Sequence, residues 1–324
     1  MANPTSLTTP TSKTSAPDDD GAPVCVMTFN ASDPSGAGGL SADIMAISSA
    51  GGYTLAIVTG AYVRDTTEIF DHYSFDEEAV SDQARSALED MTVGAIKVGF
   101  VGNPENISVV AEIAADYADV PLIAYMPSLA WWDEDKIDNY LDAFRELLLP
   151  QTTILVGNHS SLWRWLLPDW PGERNPSPKD IAKAAAQLGV PYTLVTGIPL
   201  PEQFIDNALA TPQAVLYSDK FERFEAVFSG SGDTLSAALT ALLANGLDLA
   251  AATAEALTYL DQALSAGFHP GMGQAVPDRM FWAQTEGSEG DKELDDTQAT
   301  DDADLTLSVQ QTFFDMPPHG TTKH

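Results

Sequence analysis

Gly230-Ser231-Gly232-Asp233-Thr234 leads directly into Leu235 to Ala244, an apolar, alanine-rich run that reads as a buried helix. Asp233 therefore stands on a turn at a helix N-terminus. Small residues there free the backbone N–H groups of Gly230, Ser231 and Gly232, and the helix dipole adds positive potential, which together form an anion site. A carboxylate beside such a site has the parts needed to move a phosphoryl group to an alcohol. The carboxylate takes the hydroxyl proton, and the amides stabilise charge on the group in transit. An ordinary N-cap aspartate after a glycine turn gives the same local pattern, so the surrounding chain has to decide.

Outward from that turn, short apolar runs alternate with helical periodicity. Val24 to Phe29, Tyr53 to Thr59, Ala95 to Val101, Pro121 to Tyr125, Thr153 to Val156 and Thr193 to Val195 read as strands. Two more strand candidates are Ala214 to Tyr217 and Phe221 to Phe228. Helices are expected at Leu40 to Ala50, Glu77 to Met91, Ile107 to Tyr117, Lys136 to Leu148, Pro178 to Leu188, from Thr234, and at Leu249 to Ala266. A Trp/Pro-rich segment separates the strand ending at Val156 from the helix at Pro178. This alternation implies an α/β fold with a mainly parallel central sheet covered by helices on both faces. Ligands of such sheets sit beyond the strand C-termini, where the Gly230 turn and the loop Asn30 to Gly39 both fall.

The chain has 324 residues, of which 44% are hydrophobic, enough for a large core. A single cysteine, Cys25, excludes an internal disulfide framework and is compatible with a reducing, cytoplasmic setting. No apolar run approaches the roughly 20 residues of a membrane span. The formal net charge of −32 argues against nucleic acid and anionic membranes as partners, since both need basic patches. Residues 1–22 and 286–324 are polar and acidic and read as disordered tails around a domain at 23–285. His72, His159 and His269 have no partners at metal-ligand spacing. Cys25 reads as a core residue, and the tryptophans at 131, 132, 163, 165 and 170 as packing beneath a long loop, with a lid or a dimer contact as the alternatives. No residue is assigned to a metal.

Ala31-Ser32-Asp33-Pro34-Ser35-Gly36 followed by Leu40-Ser41-Ala42-Asp43 resembles the opening of the hydroxymethylpyrimidine/phosphomethylpyrimidine kinases, which belong to the ribokinase-like superfamily. The likeness continues in order through Ile57-Val58-Thr59, Asp65-Thr66, Ile96-Lys97-Val98-Gly99, Leu148-Leu149-Pro150, Asn158 and Val195-Thr196-Gly197 to the Gly230 turn, and ends at Pro277-Asp278-Arg279. It spans roughly residues 24–284. The resemblance implies a ribokinase-like fold, ATP and Mg2+ as cofactors, a homodimer, and phosphorylation of 4-amino-5-hydroxymethyl-2-methylpyrimidine and then of its monophosphate. Many members carry a Cys at the position of Asp233, whereas the wider superfamily has Asp. The resemblance thus makes Asp233 the general base, with Gly230, Ser231 and Gly232 as anion hole. Asp43 and the backbone of Asn30 and Ala31 line the pyrimidine pocket by position, with Arg64 and Phe100 beside them. Asn158, Thr196 and Gly197 face the nucleotide.

Three departures stand against that pattern. The family's Asp-Pro-Val-Met run is replaced by Ala124-Tyr125-Met126-Pro127, and the Glu of its Asn-x-x-Glu motif by Ser161. Arg64 occupies the pyrimidine-reading position, where the family usually offers Gln or Glu. A guanidinium only donates and cannot accept from an exocyclic amine. These changes leave two alternatives: a catalytically weak paralogue that binds a pyrimidine or its phosphate, and a kinase for pyridoxal or another small alcohol.

Overall fold

The computed structural model describes residues 21–283. Nine strands form one sheet: β1 (Cys25–Ser32), β2 (Tyr53–Arg64), β3 (Ile69–Ser74), β4 (Val93–Val98), β5 (Leu122–Met126), β6 (Ile154–Asn158), β7 (Tyr192–Pro199), β8 (Phe204–Ala210) and β9 (Val215–Glu222). Their spatial order is β3-β2-β1-β4-β5-β6-β7-β8-β9. Pairings from β2 through β7 are parallel. The two flanks, β2–β3 and β7–β8–β9, are antiparallel. Chain order reverses between β1 and β4, so their C-terminal ends flank a crevice of the kind that holds ligands in open α/β sheets.

The strands obey period-2 alternation, and each face of the sheet is covered. In β5 and β6, Leu122, Ala124 and Leu155 join one apolar cluster, while Ile123, Ile154 and Val156 join another. The first cluster collects α2 (Glu77–Asp90), α3 (Pro104–Asp116), α4 (Glu134–Ala143), α5 (His159–Leu166) and α6 (Pro178–Gln187) through Val80, Ile107, Tyr140, Leu162 and Ile181. On the other face, α7 (Ser231–Ala244) and α8 (Leu249–Ser265) pack through Leu235, Leu239 and Ala256. There α1 (Gly39–Ser49) adds Ala46 and Ile47 against Ala237 and Ala241 of α7. Alanine at these contact positions lets α1, α7 and the sheet approach closely.

Several elements differ from the sequence expectations. The polar segment after Thr59 continues β2 to Arg64 and returns as β3. Its side chains are mostly exposed, so no apolar alternation marks it. The segment Phe204–Ala210, to which no element was assigned, is β8 and lies between β7 and β9. The two strands expected at Ala214–Tyr217 and Phe221–Phe228 are one strand, β9, ending at Glu222. Inside the Trp/Pro-rich segment, Asn158 caps α5 by accepting from the Ser160 amide at 3.0 Å. The helix expected to Leu148 stops at Ala143 and continues as a π turn over Phe144–Leu148. Of the expected tails, residues 1–20 and 286–324 lie outside the described residues. Among the described residues no helix is long and apolar enough to cross a membrane.

Phe100, just beyond β4, centres an aromatic cluster with Tyr62, His72, Trp131, Trp132 and Tyr140, at ring separations of 4.9 to 5.7 Å. The tryptophan pair thus packs against the core, partly buried. Burial pushes the His72 imidazole down from 6.5 to about 4. The folded chain therefore binds fewer protons than the unfolded chain between those values, and stability falls as pH drops through that window. The full effect is about 3 kcal/mol. Thermal melts between pH 7 and 4 are expected to show this decline, and His72→Phe, which keeps the ring contacts, is expected to flatten it.

Candidate active site

The crevice between β1 and β4 holds a buried cation gripped by two carboxylates. Lys97 on β4 donates from Nζ to Asp43 Oδ1 of α1 at 2.8 Å and to Asp233 Oδ1 of α7 at 2.7 Å. Its side chain and that of Asp43 are fully buried, whereas 16% of the Asp233 side chain remains exposed. Asn30, at the end of β1, donates from Nδ2 to Asp43 Oδ2 at 3.0 Å and to Asp233 Oδ1 at 2.9 Å. Thr28 donates to Asp43 at 2.6 Å, and the Gly39 amide donates to Asp233 Oδ2 at 3.1 Å. Four elements thus converge on one ion triad.

These contacts set the protonation states. Burial would raise Asp233, but the Lys97 charge and the hydrogen bonds from Lys97, Gly39 and Asn30 outweigh it and hold the carboxyl below its usual value. Burial dominates for Asp43, whose carboxyl is raised despite Lys97, with Asp233 adding like-charge repulsion. Burial alone would lower Lys97, yet Asp233 and Asp43 raise it above the ordinary ammonium value. The partly exposed member of the triad is therefore an ionised carboxylate, able to accept a proton from a bound alcohol.

The turn before α7 explains its glycines. Gly230 has φ +83° and precedes Ser231 as the N-cap. A Cβ there would collide with the Ala37 carbonyl oxygen, so the Asn30 to Gly39 loop lies directly on the turn. At Gly232 a Cβ would strike the Tyr125 hydroxyl. Arg279, only 3% exposed, holds loop and turn together. It donates to the carbonyl oxygens of Gly36 and Ala37 and, at 2.8 Å, to Thr234 Oγ1. On the other side Arg64 Nη1 lies 3.3 Å from Asp33 Oδ2, and Nη2 donates to Ser229 Oγ at 2.9 Å.

The sequence-derived site residues divide into three groups. Asp233, Asn30 and Asp43 meet in the triad, with Gly230, Ser231 and Gly232 forming the adjoining turn. Asn158, Thr196 and Gly197 share with Ser231 a cavity of about 210 Å³ whose far wall is Phe221, Leu257 and Leu264. Gly197 has φ +64°, and its amide donates to Asn207 Oδ1 at 2.9 Å. The third group is less available. Asp43 is sealed beneath Lys97, Phe100 is 1% exposed within its aromatic cluster, and the Ala31 amide donates to Asn30 Oδ1 at 2.9 Å. Arg64 is occupied by Asp33. Sequence reasoning missed Lys97 as a site residue, although a lysine inside the buried run Val93–Val98 signals a paired cation. It also missed Arg279 as the loop clamp.

For a magnesium ion the donor set does not fit. Ala124 is buried on β5 and Ser161, on α5, offers only a hydroxyl, while among the described residues no three His, Cys, Asp or Glu side chains group as a metal site.

A family model described as phosphomethylpyrimidine kinase matches residues 33–278. The chain belongs to the phosphomethylpyrimidine kinase family. It is 26% identical over 256 residues to the hydroxymethylpyrimidine/phosphomethylpyrimidine kinase of Streptomyces coelicolor, spanning 78% of this chain and 92% of that protein. The Escherichia coli enzyme of the same description is 24% identical over 247 residues, spanning 74% and 90%. Among solved structures, Staphylococcus aureus pyridoxal kinase with AMP-PCP and pyridoxal superposes with a TM-score of 0.71 at 21% identity, over 82% of this chain and 96% of that one. Phosphomethylpyrimidine kinase from Clostridium difficile gives 0.60 at 22%, over 74% and 99%. At such identities the two structures speak for the fold alone. That fold is the ribokinase-like, three-layer arrangement implied by the opening motif.

Removing one partner from a buried ion cluster leaves the others uncompensated, at a cost of about 3–5 kcal/mol. Lys97→Met, close in shape but uncharged, is expected to lower stability by that amount at pH 7 in denaturant titration. Adding Asp43→Asn is expected to recover part of the loss, because one of the two stranded carboxylates is then neutral.

Proposed function

We propose that the chain is an ATP-dependent kinase of thiamin biosynthesis, a cytoplasmic homodimer that phosphorylates 4-amino-5-hydroxymethyl-2-methylpyrimidine and then its monophosphate. Family membership and the names of the curated relatives support the substrate class. The observation that carries the reading is Asp233: ionised, partly exposed, and seated in the first turn of α7 beside a glycine turn. In the first transfer the substrate hydroxyl gives its proton to the Asp233 carboxylate as its oxygen bonds to the γ-phosphorus. The bond between that phosphorus and the oxygen of the leaving ADP breaks in line. The amides of the Gly230 turn stabilise charge on the phosphoryl oxygens, and the neighbouring cavity at Asn158, Thr196 and Gly197 takes the nucleotide. Magnesium accompanying the nucleotide would be held by phosphate oxygens and water.

The second transfer has a different acceptor. A phosphate monoester loses its second proton near pH 6, so its oxygen attacks as an anion and needs no base. Asp233→Asn is therefore expected to slow the first transfer by about 10²–10⁴-fold and the second far less. Separate assays from the alcohol and from its monophosphate, with products resolved by chromatography, measure the two steps. Undiminished first transfer would refute the base. Turnover with pyridoxal but not the pyrimidine would reassign the acceptor, and tight pyrimidine-phosphate binding without ATP consumption would make the chain a binding paralogue.

A further inference from the structure

The phosphoryl group in transit carries negative charge into a place that is already anionic: Asp43 and Asp233 together outweigh Lys97 by one charge. The cations nearest the turn are all engaged. Lys97 is held by the two aspartates, Arg64 by Asp33 and Ser229, and Arg279 by the Gly36 and Ala37 carbonyls and Thr234. Donors beyond the backbone amides must come from elsewhere.

Tyr125 supplies one. It lies on β5 where the family's run has Pro, next to Ala124, where the family has its carboxylate. Its hydroxyl ends against the Cα of Gly232, at the glycine turn itself. Lys97 Nζ lies 5.7 Å from the centre of its ring, which places the phenol over the ion triad. The side chain is only partly buried. Its oxygen has no hydrogen-bond partner among the described residues, yet it is not among the sealed polar atoms that lack one. Burial, with the charges of Asp233 and Asp43, raises the phenol well above its usual 10.0, so it remains a neutral O–H donor throughout the working range.

Resting on the kinase reading above, we propose that Tyr125 is a catalytic residue whose hydroxyl donates a hydrogen bond to the transferring phosphoryl group, beside the α7 amides. A donor fixed at the point where charge develops acts on the transition state more than on bound substrate. The hydroxyl keeps its proton throughout.

Tyr125→Phe deletes only the hydroxyl. The expected result is a kcat for the pyrimidine alcohol lowered about 10²-fold, with KM for alcohol and ATP within about threefold of wild type. Affinity for ADP with tetrafluoroaluminate and the alcohol, a mimic of the phosphoryl group in transit, should fall by a similar factor, while affinity for ADP alone stays unchanged. Wild-type turnover with wild-type affinity for the mimic overturns the assignment, as does a loss confined to KM. If Tyr125→Phe melts well below wild type, 3,5-difluorotyrosine at 125 keeps the shape and makes the phenol more acidic. Its turnover should then decline at a lower alkaline pH than wild type, and an unshifted profile overturns the assignment. If the wild-type chain phosphorylates no pyrimidine alcohol, the functional reading fails, and the comparison with ADP and tetrafluoroaluminate alone still decides Tyr125.

Discussion

The ammonium of Lys97, enclosed between two aspartates, is the constraint on which the rest of this molecule turns. Taking three charges out of water is expensive, and the cluster is tolerable only because Thr28, Asn30 and the Gly39 amide satisfy the remaining oxygens. Its members come from β1, α1, β4 and α7, which are distant in sequence. Any slippage among those elements would strand a buried charge. The same arrangement keeps Asp233 ionised, so the contact that orders the crevice also sets the state of its candidate base.

Much of the architecture was legible because parallel strands buried on both faces leave continuous apolar runs, and the helices between them carry clear periodicity. Strand β3 was hidden because its exposed side chains show no inward face. In β8 the run Phe204-Ile205-Asp206-Asn207-Ala208 mixes polar and apolar residues at an antiparallel flank, so it resembled a connection. The Gly230 turn was readable since a glycine with positive φ before a helix leaves a local trace. Lys97 and Arg279 were not, because each acquires its role from partners on other elements, 45 to 243 residues away along the chain. Sequence marks such a residue as anomalous without naming its partner.

The departures from the family pattern look different once placed. Arg64, at the end of β2, is engaged by the aspartate of the opening loop and by Ser229. Ala124 sits fully buried in the sheet core. Phe100 is part of an aromatic cluster that includes Tyr140 of α4. Around Arg64 and Phe100 the crevice is built from packed rings and ion pairs.

Arg279 gives the assembly a direction in time. Its guanidinium holds carbonyl groups of a loop that leaves the ribosome some 240 residues earlier. A chain lacking Arg279 would keep the contacts of Asn30, Gly39 and Arg64 between that loop and the Gly230 turn, but would lose the guanidinium that holds the Gly36 and Ala37 carbonyls. One of the last described residues of the domain thus fastens one of its first loops, so a truncation near the C-terminal end is felt at the opposite end of the chain.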